Sequence, residues 1–407
     1  MITNRPQCLA GHKAASEMSE LAEPIRELGT HRKLVSQKEQ RELDTELTLD
    51  AIIVPASRPA RNLEQAITLA RAAQSALLIL CSRQPDLAEV QQLLAERSFN
   101  DAIVVNLPHN YGHELFDFRA LASIKDDLPA ACSYYVTDLS AKRNVGLVLA
   151  RMVGWRHIFF LDDDIRGICY PDLHSTVSML GSFRTTGMRV AHFPDNSVVC
   201  HAHRMTGGMQ DVFVSGAALA VDCQHDIGFF PDIYNEDWLF FYDDVARGKL
   251  GSSAHTATQL RYMPFADPRR AAWQEFGDVL AEGLYALLDR GAGVEHATRD
   301  YWIDFLYFRR TFLEAIKRRS GSASPEIREQ LLCSVEAALK CLAAISPELF
   351  ERYLRLWRQD LRDWEQRVGG VAEMRSLDAA LQALGLARST NGWVADAARP
   401  SSASRSP

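Results

Sequence analysis

A chain of 407 residues, 47% apolar and 24% charged, is long enough for one large domain with an appendage or for two of medium size, and it has the composition of a globular protein. Its net charge of −7 offers no general basic face and argues against a nucleic-acid partner. The eight cysteines show no C-x-x-C pair or zinc-like spacing and read as reduced thiols in a cytoplasmic protein; the amino terminus lacks the apolar core of a signal peptide, and no run of about 18 apolar residues marks a transmembrane segment.

Residues 1–46 are polar, rich in Glu, Lys and Arg, and are expected to form an extension ahead of the core. Strands and helices then alternate. Asp50–Pro55 reads as a strand, and Asn62–Gln74 as a helix with Asn62 as N-cap and Leu63, Ala66, Ile67 and Ala70 facing inward. Ala76–Cys81 follows as a second strand, Asp86–Ala95 as a helix and Asp101–Leu107 as a third strand. Single helices between strands imply parallel pairing through right-handed crossovers, hence an α/β, Rossmann-like, doubly wound and mostly parallel sheet. Asp138–Val153 predicts a helix that leads through Gly154 into a fourth strand, Ile158–Leu161. That strand ends in three consecutive acids, Asp162, Asp163 and Asp164.

Beyond Asp164 the pattern loosens, with short strands expected at Ser197–His201 and Asp211–Val221. Residues 273–388 read as almost wholly helical, with an apolar seam at Leu354, Leu356, Trp357, Leu361 and Trp364, a region available for self-association. Residues 389–407 end in Ser, Ala, Arg and Pro and are expected to be a disordered tail. The domain covering 47–272 therefore carries the chemistry.

An unbroken apolar run fits a strand buried on both faces, and such sheets place their ligands at the carboxyl ends of strands. Asp162 and Asp164 would leave a continuing strand on one side, so both could reach one hard divalent cation through oxygen. Pro55, Ser57 and Arg58 form a tight polar exit from the first strand, where α/β proteins often receive a nucleotide. Lys142, Arg143 and Asn144 open the helix that feeds the acidic strand and could bind phosphate oxygens in the same cleft. No G-x-G-x-x-G and no P-loop motif is present, which argues against a dinucleotide cofactor and a P-loop NTPase.

The order Pro55-Ala-Ser57-Arg58, Lys142-Arg143-Asn144-Val-Gly146, Phe160-Leu-Asp162-Asp163-Asp164, Val214-Ser-Gly216-Ala-Ala218 and Asn235-Glu236-Asp237-Trp238 resembles the nucleotide-sugar glycosyltransferases of the GT-A fold, particularly family-2-like members, over roughly residues 48–270. The resemblance implies that Asp162 and Asp164 hold Mn²⁺ or Mg²⁺ on a sugar-nucleotide diphosphate, with Asp163 facing the donor's ribose or sugar. It also implies that Asp237 removes the proton of a hydroxyl acceptor in an inverting transfer, with Gly216, Glu236 and Trp238 on the acceptor side. His255 falls where metal-dependent relatives often place a third ligand. The chain departs from the pattern at Cys81-Ser82-Arg83, where family-2-like enzymes commonly carry acids that read the nucleotide, so the donor is left open.

Three other readings compete. His201 and His203, if they alternate on a strand, form an acceptor wall or a surface pair, and Asp243-Asp244 reads as solvated or ion-paired on a helix running on from Trp238. Asp162–Asp164 with Asp243-Asp244 would instead suit the paired diphosphate clusters of an isoprenoid synthase, which requires an all-helical fold. A catalytically degenerate GT-A domain acting as a scaffold is the non-enzymatic alternative.

Overall fold

The computed structural model describes residues 31–36, 43–128, 132, 137–193, 197–210, 212–224 and 227–389. Most of the expected 1–46 extension, and the tail after residue 389, lie outside the described residues. Strand β1 (Ala51–Ala56) leads to helix α1 (Glu64–Ala73), β2 (Ala76–Cys81), α2 (Leu87–Glu96) and β3 (Ala102–Asn106). The short α3 (Arg119–Ala122) precedes α4 (Leu139–Met152) and β4 (His157–Leu161). Then come β5 (Ile165–Arg166), α5 (Tyr170–Ser178), β6 (Thr185–Ala191), α6 (Val198–Met205) and β7 (Val214–Asp222). The short helices α7 (Glu236–Phe240) and α8 (Tyr242–Ala246) precede β8 (Leu250–Gln259). Five helices complete the described chain: α9 (Pro268–Asp289), α10 (Arg299–Arg319), α11 (Pro325–Leu342), α12 (Pro347–Gly369) and α13 (Leu377–Ala383).

The eight strands form one sheet in the order β3-β2-β1-β4-β7-β6-β8-β5. Pairing is parallel from β3 through β4 and between β6 and β8, while β7 is antiparallel to both its neighbours and β5 is antiparallel to β8. The sheet is thus mostly parallel, with helices on both faces. Alternate strand residues sort into two cores: Ile53, Leu78, Leu80, Ile103 and Val105 on one face, Ile52, Val54, Leu77, Ile79 and Val104 on the other. Side chains alternate across a strand, so a strand covered on both sides must be apolar throughout. The first core runs on without a break into the carboxyl-terminal helices through residues such as Leu280, Trp302 and Trp357. Pro55 fits near the end of β1 because the pairing with β4 stops at Ile53–Phe160, so no ladder bond on that side needs its missing N–H.

Several expectations are corrected. Ser197–His201 is not a strand: Ser197 caps α6, its hydroxyl accepting the Cys200 N–H at 3.1 Å. His201 and His203 therefore diverge, the first stacking on Phe193 and the second against Phe312. The strand expected at Asp211–Val221 is β7, beginning at Val214. The helix expected to run on from Trp238 is two short helices, and of the acidic pair Asp243 is exposed whereas Asp244 is buried against Arg184 and Thr185. Cys132 and Cys341 form a disulfide, so these two are not reduced thiols; Cys81, Cys169, Cys200, Cys223 and Cys333 are free. The eight-stranded sheet removes the all-helical isoprenoid-synthase reading. Among the described residues no single helix is long and apolar enough to cross a membrane.

Candidate active site

The acids at the end of β4 sit at the centre of the sheet's carboxyl edge, where Asp163 and Asp164 share Arg58 and Asp162 meets Arg143. Asp163 turns inward and is consumed by the β1 exit: its Oδ2 accepts the N–H groups of Ser57 (2.7 Å) and Arg58 (2.8 Å), and its Oδ1 pairs with the Arg58 guanidinium at 2.5 Å. The Asp163 side chain, 1% exposed, thus acts as the staple of the Pro55–Arg58 turn while lining the cleft. Asp162 receives Arg143 Nη2 on both oxygens, at 2.9 and 3.1 Å. Asp164 pairs with Arg58 Nη2 at 2.7 Å and accepts Gln259 Nε2 at 3.0 Å. Burial, and then the neighbouring Asp162 and Asp163 charges, push the Asp164 carboxyl up to about 6, against the pull of Arg58.

Helix α4 supplies the cations. Arg143, fully buried, bridges Asp162 to Glu236 Oε1; burial works against its charge, but the surrounding Asp162, Glu236 and Asp237 hold it well above the ordinary guanidinium range. Lys142 Nζ donates to the Ala56 carbonyl (2.7 Å) and pairs with Asp138 (3.2 Å), and burial pulls it below the usual ammonium range. An ammonium has three hydrogens, so one stays available to the cleft. Asn144 is corrected: it does not line the cleft, because its amide clamps Phe230, accepting the N–H and donating to the carbonyl, each at 2.8 Å.

Glu236 and Asp237 open α7 after Asn235, whose left-handed backbone (φ 61°) is a conformation asparagine tolerates. Asp237 is fixed through both oxygens: Gly216 N–H donates to Oδ2 at 2.6 Å and Trp238 N–H to Oδ1 at 2.9 Å. Each oxygen keeps a further lone pair. Burial raises both carboxyls, opposed by Arg143, and Glu236 reaches about 8. Gly216 has a role other than backbone approach to a ligand: a Cβ there would lie 2.7 Å from Arg143 Nη1 and 2.9 Å from Asp237 Cβ, so its small size lets those two side chains close over β7.

These groups line one cleft of about 290 Å³, near the lower end of small-molecule sites. Eight carboxyl groups and five cationic side chains line it, so a divalent cation would meet acidic oxygens there. Asp162 and Asp164 would be its ligands. Two carboxylates, with substrate phosphates and water completing the shell, fit a hard divalent ion. His255 is corrected as a third ligand: it lies outside the cleft, where Nδ1 pairs with Asp172 at 2.8 Å. Gln259, four residues further along β8 and about 13 Å on at strand spacing, is the side chain that reaches Asp164.

The far wall was not singled out from the sequence. It comes largely from α9, where Gln274, Asp278 and Glu282 repeat at every fourth position as a polar stripe along the helix, a periodicity that could have revealed it. Gln274 Oε1 accepts the Val198 N–H at 2.8 Å, which fixes the amide's orientation, since a backbone N–H can only donate. Its Nε2 has no partner among the described residues although Gln274 is 1% exposed. A buried donor left so costs about 1–3 kcal/mol. Cys200, Asp278 and Glu282 also bring ligand atoms within 4.8 Å of one another. Asp278 is already paired with Arg309 (2.6 Å) and Glu282 with His31 (3.2 Å), so these acids are neutralised within the protein.

No protein-family model matches the chain, and no curated protein matches it. Among solved structures it is similar to the mannosyltransferase PcManGT from Pyrobaculum calidifontis in complex with GDP-Man and Mn²⁺, with 12% identity, 91% of this chain and 95% of that chain covered, and a TM-score of 0.39. A likeness this loose carries no argument about the function of this chain.

Proposed function

We propose that the protein is a GT-A-type glycosyltransferase that moves a sugar from a nucleoside diphosphate to a hydroxyl acceptor with inversion, using Mn²⁺ or Mg²⁺. The observation that carries this reading is the meeting of Asp162 and Asp164, the cations Arg58 and Lys142, and the anchored Asp237 in one cleft at the carboxyl edge of a mostly parallel sheet. A divalent ion on Asp162 and Asp164 would neutralise the diphosphate and make it a better leaving group.

The protein's own groups perform the rest. Arg58, held by Asp163 and Asp164, and Lys142 with its remaining hydrogen present positive charge to the phosphate oxygens. Asp237, held by two backbone amides, takes the proton of the acceptor hydroxyl as that oxygen bonds to the anomeric carbon. The bond from that carbon to the diphosphate breaks, and its electron pair leaves on the phosphate oxygen. Burial raises the Asp237 carboxyl, which makes it a stronger base than an exposed one. Arg143 ties Asp162 to Glu236 and offsets the charge of the acids beside Asp237.

Asp237→Asn tests the assignment. Transfer should fall about 10²–10⁴-fold, the span expected for loss of a general base, while donor binding by calorimetry stays within twofold. Full turnover in this variant would remove Asp237 from the mechanism. A scaffold lacking catalysis would show no metal-stimulated hydrolysis of any sugar nucleotide.

A further inference from the structure

The cleft is lined by Trp273 and Tyr234, whose rings meet edge to face with centroids 5.7 Å apart. Gln274, next to Trp273 in α9, lines the same cleft, and its buried Nε2 has no acceptor among the described residues. Gln210 lines the same end; one end of its amide meets Cys200 Sγ at 3.1 Å, and whichever way the amide is turned its other end is buried without a partner among the described residues. Asp278 completes the set as an acceptor fixed by Asn235 (3.1 Å) and Arg309.

We propose that this end of the cleft is a subsite for an uncharged sugar, so that the acceptor is itself a carbohydrate; the inference rests on the glycosyl-transfer reading of the same cleft. A hydroxyl both donates and accepts, so adjacent ring hydroxyls can satisfy Gln274 Nε2 and the outer atom of Gln210 together. The C–H face of a sugar ring carries positive edge charge that suits the negative face of an indole or phenol ring. A phosphorylated or carboxylated acceptor fits poorly, because the cations that meet Asp278 and Glu282, Arg309 and His31, are already committed to those acids. An aliphatic alcohol would leave both amides unsatisfied, which is how a site built around polar groups rejects apolar ligands.

Saturation-transfer NMR on the full chain tests the proposal. The probes are the methyl glycosides of mannose, glucose and galactose, with decanol as the apolar comparator, each recorded with and without UDP or GDP plus Mn²⁺. Saturation should reach the ring protons of at least one glycoside and not decanol. Gln274→Glu, which keeps the oxygen facing Val198 but removes the donor, should weaken that signal's affinity at least tenfold. Trp273→Leu, which leaves Gln274 intact, should do the same and serves if Gln274→Glu does not fold. No glycoside signal under any condition, a preference for decanol, or unchanged affinity in both variants would overturn the subsite. Nucleotide binding without glycoside binding would remove this inference and leave the proposed function standing; glycoside binding without nucleotide binding would do the reverse.

Discussion

Arg143 holds the site's charges in register. It sits buried between Asp162 and Glu236, its guanidinium 5.3 Å from the Phe230 ring centroid. Arg143→Met removes the group that bridges these two acids, leaving neither with an ion-pair partner among the described residues. Loss of one partner of a buried pair costs about 3–5 kcal/mol, so urea unfolding should show a fall of that order, with Arg143→Lys intermediate. His31 is a second buried ion, bonded to Asp289 (2.6 Å) and Glu282 (3.2 Å) and caged by Phe213, Trp238 and Tyr285. Burial opposes its charge, but the hydrogen bonds to the two acids prevail and lift its pKa from 6.5 to about 9. The folded state thus binds the proton more tightly than the unfolded chain. The stabilisation is complete below about pH 6.5 and disappears as pH rises through about 9. The stability gap between the natural protein and His31→Leu, measured in urea at pH 6 and pH 9.5, should shrink toward the higher pH.

At the level of elements, α9 decides where the Asn235–Asp237 turn lies. Gly277 packs directly on the Tyr234 backbone; a Cβ would collide with the Tyr234 carbonyl oxygen and come within 3.0 Å of its nitrogen. Gly277→Ala must therefore push α9 away from the Asn235–Asp237 turn, at about 1–3 kcal/mol for overpacking, and should lower transfer as well as stability. Gly369→Ala, where no atom lies within 4 Å of the added Cβ, should leave both unchanged or raise stability slightly. The segment Gln274–Asp278 matches no motif, yet nearly every residue in it is engaged. Gln274 caps Val198, Glu275 and Asp278 hold the buried Arg309, and Gly277 admits Tyr234. The hydrogen-bonded partners lie between 31 and 76 residues away, beyond the reach of any local pattern. Strands β1 to β4 are legible in the sequence because each is a short apolar run bounded by turn residues. The Val198–His203 stretch satisfies an alternating pattern equally well, and only the Ser197 cap marks it as a helix. Thr185–Ala191 escapes such a reading because a polar start and a central glycine weaken its strand pattern, although it pairs on both sides.

Across the whole molecule, the acids of β4 are visible in the sequence and their division of labour is not. Asp163 lies 106 residues from Ser57 in the chain, so its role as the staple of the β1 exit emerges only when β1 and β4 pair. The Cys132–Cys341 disulfide, whose ends are 209 residues apart in the chain, is equally invisible to spacing. What the folded chain assembles is a cleft in which acids and cations from β1, α4, β4, α7 and α9 meet, the arrangement from which we propose a diphosphate and a metal ion as ligands. Calorimetric titration of UDP and GDP into the full chain, in Mn²⁺ and again in EDTA, tests this most directly. Binding of at least one nucleotide in Mn²⁺, weakened at least tenfold by EDTA and likewise by Asp162→Ala, is the predicted result; binding that ignores both EDTA and Asp162→Ala, or no binding of either nucleotide, would contradict it.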